Sequence, residues 1–281
     1  MPCTRGCAAP PMRASCPIPV QPAPLDYRIA HTALPRVLCL GDSIGGPSCR
    51  AAATHPLIAG KLELRPIQFA RSNSSVLLNS FGAGNLQRCV STWMEGACKP
   101  GVECPKLGLR WRGVVLGAGA WDLQSRTCCE MTDARMKRLV DQVRGSVETA
   151  LRYADVAIWM TTTPAAEHAG CCSDDRLNYT GHAHRSGAIA SIGYCHHDAI
   201  TQNRLVAQML QAAFSPSRVA IADTYSAVAS SCGDHYADCA VQPQTDAAGH
   251  LFQCNVHFTP TSFEQIHGPA IARALSRLAL T

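Results

Sequence analysis

The chain is short of charge: 16% of its 281 residues are Asp, Glu, Lys or Arg, and no dense Lys/Arg run occurs. With a net charge of +5 and pI near 8.5, this argues against a nucleic-acid footprint or a polybasic membrane patch. There is no uninterrupted apolar segment of 18 residues, so no membrane-spanning helix is expected. Sixteen cysteines are present, yet none are spaced Cys-x-x-Cys, so the standard zinc-knuckle spacing is missing. No Gly-x-Gly-x-x-Gly follows a strand, so no dinucleotide site is indicated. The first residues carry no apolar core of a signal peptide, and no internal repeat is visible.

What is present is a chain able to form one sizeable core, with 47% hydrophobic residues. An even cysteine count with local pairs such as Cys98/Cys104 and Cys232/Cys239 suits a disulfide framework. Asn73-Ser74-Ser75 and Asn178-Tyr179-Thr180 are glycosylation sequons. Together these lean towards the secretory pathway or the extracellular space. Residues 1 to about 30 hold seven prolines and three cysteines without helical or strand period, and read as a tail or linker. Residues 31–281 are expected to form the folded domain.

Strand and helix signals alternate from Arg36 onward. Val37–Leu40 is a buried strand, and Leu64–Phe69 a second, interrupted by Pro66 and so placed at an edge. Asn85–Met94 reads as a helix, and residues 95–108 as a surface loop. Gly113–Leu116 is a third strand. Met136, Leu139, Val140, Val143, Val147 and Leu151 then form an apolar helical stripe, with Asp133 as its expected cap. Val156–Met160 is a fourth strand. Residues 165–197, polar and rich in Gly, Cys and His, form a long loop of the kind that usually carries function. Asp198 is expected to cap a further helix, Val219–Ala222 is a fifth strand, and Thr261–Leu280 a closing helix. Strands separated by helices predict βαβ units. The fold class is therefore α/β, a three-layer α/β/α sandwich with a five-stranded, mostly parallel sheet of flavodoxin-like order.

In such sheets ligands bind beyond the carboxyl ends of the strands. Gly41-Asp42-Ser43 follows the first strand at that end, where a serine can aim its hydroxyl into a cleft and offer its own N–H to an oxyanion. An alcohol needs a neighbouring base, and His257, in Asn255-Val256-His257-Phe258-Thr259-Pro260, can take its proton and return it to a leaving group.

Gly41-Asp42-Ser43, Gly84-Asn85, Gly119-Ala120-Trp121-Asp122 and His257 fall in the block order of the SGNH/GDSL hydrolases, which residues 36–280 therefore resemble. The resemblance implies an α/β/α sandwich that hydrolyses esters through an acyl-serine intermediate. Ser43 would be the nucleophile and His257 the base. The N–H groups of Ser43 and Gly84 would form the oxyanion hole. Asp42, Asn85, Asp122 and Cys254 stand beside these blocks as supporting residues, with Asp42 and Asp122 tying down their own turns. No cofactor or metal is implied. A monomer is expected, with a small-molecule, lipid or carbohydrate ester as substrate.

Two departures from the family pattern stand out. Trp121 occupies the place of the usual oxyanion-hole asparagine; its indole has one N–H donor, so it either serves as the third donor or is a core aromatic satisfied elsewhere. Cys254 occupies the place of the aspartate that orients the histidine, and a thiol is a poor acceptor. A Ser-His dyad is then the expected form, its tautomer fixed by a backbone carbonyl or by Asp234 or Asp246. Cys254 itself suits one half of a disulfide better than a catalytic thiol. Other readings stay open: transfer of the acyl group to a carbohydrate, a catalytically silent binding protein of the same fold, and a cysteine-rich metal or redox protein drawing on His182, His184 and Cys195-His196-His197-Asp198.

Overall fold

The computed structural model describes residues 34–41, 44–68, 83–96, 111–119, 122, 124–125, 132–164, 166–167, 193–194, 196–232, 239, 254–255 and 258–278. Five parallel strands form the central sheet: β1 (Arg36–Gly41), β2 (Glu63–Gln68), β3 (Trp111–Gly117), β5 (Ala154–Met160) and β8 (Val219–Ala222). Their order is β2-β1-β3-β5-β8, so β1 opens the sheet near its middle and β2 lies at an edge. Pro66, which lacks the N–H a central strand would need, is tolerated there. The five strands and their flavodoxin-like order agree with the pattern read from the sequence.

Side chains along each strand alternate between two cores. Val37 and Cys39 face one layer; Leu38 and Leu40 face the other. On the first side pack α1 (Gly45–Thr54), α5 (Thr224–Ser231) and the C-terminal α7 (Gly268–Arg277). On the second pack α2 (Ala83–Gly96), α3 (Asp133–Tyr153) and α4 (His196–Ala213). Short antiparallel pairs add β4 (Gln124–Ser125) with β7 (Gly193–Tyr194), and β6 (Ala166–Glu167) with β9 (Cys254–Asn255).

Several local expectations are corrected. Helix α1 was not anticipated, because Gly45-Gly46-Pro47 reads as a turn. Its small residues instead permit close packing: a Cβ on Gly268 of α7 would lie 2.8 Å from the Ala51 carbonyl carbon. Helix α5 was also missed, being only eight residues long with Thr224 and Val228 as its buried positions, and Asp223 caps it by accepting from Ser226 N at 3.0 Å. Thr132, not Asp133, caps α3 by accepting from Arg135 N; Asp133 sits in the first turn, where a negative charge meets the helix dipole. Asp198 lies inside the first turn of α4, which begins at His196, three residues earlier than a cap at Asp198 would place it. The expected loop at 95–108 begins later, since α2 continues to Gly96. The closing helix comes in three parts: α6 (Pro260–Ser262), a π turn over Phe263–His267, and α7. Two disulfides occur among the described residues, the expected Cys232–Cys239 and an unexpected Cys39–Cys49 joining β1 to α1. The tail 1–30, both sequons, Cys98/Cys104, and His182, His184 and Cys195 lie outside the described residues.

Candidate active site

The first block lies between Gly41, the last residue of β1, and Ile44, which precedes α1. The chain turns here with little room. A Cβ on Gly41 would come 2.7 Å from the Gly45 Cα, so backbone meets backbone and only glycine fits. The Cys39–Cys49 bond closes the same strand–helix junction from the core side, with both residues 1% exposed. Asp42 and Ser43, between these anchors, lie outside the described residues.

Block three meets the residue just before block two. The Asp122 carboxylate accepts from the Ala83 N–H at 2.8 Å, capping α2 from 39 residues away. Its carbonyl accepts from the Arg135 guanidinium at 2.8 Å, which fixes the turn against the start of α3. Gly84 follows Ala83 in the first turn of α2, where amide N–H groups have no partner within the helix and the dipole favours negative charge. Asn85 follows it, its side chain outside what the structure describes, and Trp121 lies outside the described residues altogether.

Gly119 has φ +131°, a region that L side chains rarely adopt. A Cβ there would also collide with the Gln202 amide nitrogen and the Thr162 hydroxyl. Gln202 Nε2 donates to Thr162 Oγ1 at 2.8 Å, and Thr162 Oγ1 to the Ala118 carbonyl at 3.3 Å. Asn203 pairs with the Thr162 backbone in both directions, donating to its carbonyl and accepting from its N–H at 2.8 and 2.9 Å. Helix α4 thereby latches the ends of β3 and β5 together.

The fourth block is held on three sides. Asn255 pairs with Ala166 in the β6–β9 ladder, just beyond the carboxyl end of β5. Phe258 is 3% exposed and packs on His267, ring centroids 4.7 Å apart. Thr259 caps α6, accepting from Ser262 N at 3.2 Å, and its own N–H donates to the Cys239 carbonyl at 2.9 Å. Through Cys232–Cys239 the segment is tied to the end of α5. The Phe-Thr-Pro that follows His257 is thus an anchor, a cap and a residue suited to the first helical turn. His257 itself, with Asp234 and Asp246, lies outside the described residues, as does the Cys254 side chain.

Sequence reasoning did not single out His267 or Ser48. His267 is fully buried, and desolvation lowers its pKa from 6.5 to about 4, so its imidazole is neutral at neutral pH. Beyond these blocks, Met136, Val140 and Leu205, with Asp133, Lys137, Asp198 and Thr201, line a cavity of about 380 Å³ between the first turns of α3 and α4.

No protein-family model matches the chain, and no curated protein matches it. Solved structures do. A carbohydrate esterase family 3 protein from Talaromyces cellulolyticus is similar at 13% identity and TM-score 0.48, over 87% of this chain and 98% of that one. An acetylxylan esterase from Geobacillus stearothermophilus is similar at 13% identity and TM-score 0.44, over 87% and 94%. A possible lipase from Chitinophaga pinensis is similar at 9% identity and TM-score 0.42, over 88% and 99%.

Proposed function

We propose that this protein is a serine esterase that hydrolyses an acyl ester, acetyl included, through an acyl-Ser43 intermediate. The observation that carries the reading is the hydrogen bond from Ala83 N–H to the Asp122 carboxylate. It ties the residue just before the second motif block to the third, beyond the carboxyl ends of the parallel strands, where an α/β sheet places its ligand crevice. The flanks of Ser43 and of His257 are anchored to the same end, by β1 and by the β6–β9 ladder next to β5.

In this mechanism His257 takes the Ser43 proton as the hydroxyl attacks the ester carbonyl. The resulting oxyanion is met by the Ser43 and Gly84 N–H groups and the Trp121 indole N–H. Removing one such donor typically costs about 3–4 kcal/mol of transition-state stabilisation. Collapse of the tetrahedral intermediate breaks the bond to the alcohol, which leaves with the proton from His257. Water then attacks the acyl-enzyme with His257 again as base, and the acid departs as Ser43 regains its proton. The disulfides suit folding in an oxidising compartment, so a secreted or secretory-pathway enzyme is proposed. No helix among the described residues is long and apolar enough to cross a membrane.

The test is release of p-nitrophenol from p-nitrophenyl acetate by the whole chain and by Ser43→Ala. Activity is expected in the first and loss of at least about a thousandfold in the second. Equal rates in both would remove Ser43 from its role.

A further inference from the structure

His267 stands at the end of the π turn, a feature that is frequent at functional sites. Its ring is enclosed by two aromatics: Phe258 at 4.7 Å between centroids and Phe263 at 5.0 Å. Its Nδ1 lies 3.2 Å from the Ser48 hydroxyl, itself fully buried in α1. That hydroxyl donates to the Ile44 carbonyl at 2.7 Å. A hydroxyl has one proton, so with Ser48 committed to Ile44 the imidazole must be the donor, with the hydrogen on Nδ1. Nε2 is then a bare lone pair, which agrees with its having no partner among the described residues.

The chain of contacts has an informative pair of ends. Ile44 is the residue directly after Ser43, and Phe258 is the residue directly after His257. One buried imidazole touches both, through a hydrogen-bonded relay on one side and a ring contact on the other. The two segments lie more than 200 residues apart in sequence, and α1 has no side-chain cap of its own at Ile44.

We propose that His267 is a positioning residue: through Ser48 and Phe258 it fixes the turn carrying Ser43 relative to the segment carrying His257. Its consequence for rate rests on the esterase reading above; its effect on the turn does not. The imidazole touches no substrate in this role. It sets the register of two groups that must lie within hydrogen-bond reach, where a misplacement of about 1 Å can lower turnover a hundredfold.

The test compares wild type with Ser48→Ala, His267→Phe, His267→Asn and the Ser48→Ala/His267→Phe pair. Ser48→Ala removes one hydroxyl and keeps the helix, so it reports even if a ring substitution proves too severe. Two readouts are taken on protein that unfolds cooperatively. In hydrogen–deuterium exchange, the amides of residues 44–46 and 48 should exchange faster in Ser48→Ala and His267→Phe, while α3 stays unchanged. In p-nitrophenyl acetate hydrolysis, kcat should fall about ten- to a hundredfold with KM within about twofold, and the double variant should be no worse than the poorer single. His267→Asn, which keeps an N–H near the place of Nδ1, should recover most of the lost kcat. Unchanged exchange and kcat in both single variants would overturn the assignment, and so would His267→Asn falling as far as His267→Phe. A wild type without ester hydrolysis would instead remove the esterase reading, and the exchange experiment would still decide whether His267 holds the turn.

Discussion

Acidification should destabilise this fold through His267, and the size of the effect can be worked from its burial. In the unfolded chain the imidazole takes a proton near 6.5; in the folded protein desolvation delays this to about 4. Between those values the unfolded state binds more protons, so stability is full above about pH 6.5 and declines as the pH falls towards 4. Linkage gives a loss of about 2 kcal/mol at pH 5 and about 3 kcal/mol below pH 4 from this one side chain. The structure offers no relief for the charge. Phe258 and Phe263 enclose the ring, and a protonated Nε2 would be a buried donor with no partner among the described residues. Urea unfolding at pH 7.5 and pH 5 measures it. At about 3 kcal/mol per molar of urea the midpoint should drop by ~0.7 M from this group. His267→Phe, which keeps an aromatic ring in place, should lose that share of the pH dependence while other titrating groups keep theirs. Parallel pH dependences in wild type and variant would refute the reasoning.

Three further perturbations probe the anchors of the site. Asp122→Ala leaves the Ala83 N–H without its carboxylate and should cost about 1.5–3 kcal/mol of stability, with a larger relative loss of kcat than of substrate affinity; thermal unfolding and steady-state kinetics check both. Gly119→Ala should destabilise by more than about 2 kcal/mol in urea unfolding, since the new methyl meets both an unfavourable φ and the Gln202–Thr162 pair. Replacing Cys39 and Cys49 together by alanine should cost about 3 kcal/mol, as expected for a cross-link spanning 10 residues, and mass spectrometry after alkylation in denaturant without reductant should find both unmodified.

The layered architecture was legible because it rests on periodicity. Val37–Leu40 and Gly113–Leu116 are apolar runs that end at a glycine, Val156–Met160 is one that ends at Thr161-Thr162-Thr163-Pro164, and the α3 stripe follows the 3.6-residue repeat without interruption. Helix α1 was not, because Gly45 and Gly46 at its start weigh against a helix locally, and only the close approach of α7 makes the small size of its residues useful. The π turn was equally hidden, since one extra residue in a helix leaves the apolar spacing almost intact. Within the site, motif blocks marked the residues that would do chemistry but not those that hold them. Asp122 was visible and its partner was not, because the Ala83 N–H carries no side-chain signal. His267 looked like any polar residue on a closing helix; its burial between Phe258 and Phe263 exists only in three dimensions.

The account stands most directly on Ser43 being an activated nucleophile served by His257. Treating the intact protein with a small fluorophosphonate at pH 7.5 and mapping the adduct by peptide mass spectrometry tests this at one atom. One adduct is predicted, on the Ser43 hydroxyl, forming at least about a hundredfold more slowly in His257→Ala. A folded protein that stays unlabelled, is labelled elsewhere, or reacts equally fast without His257 would contradict it.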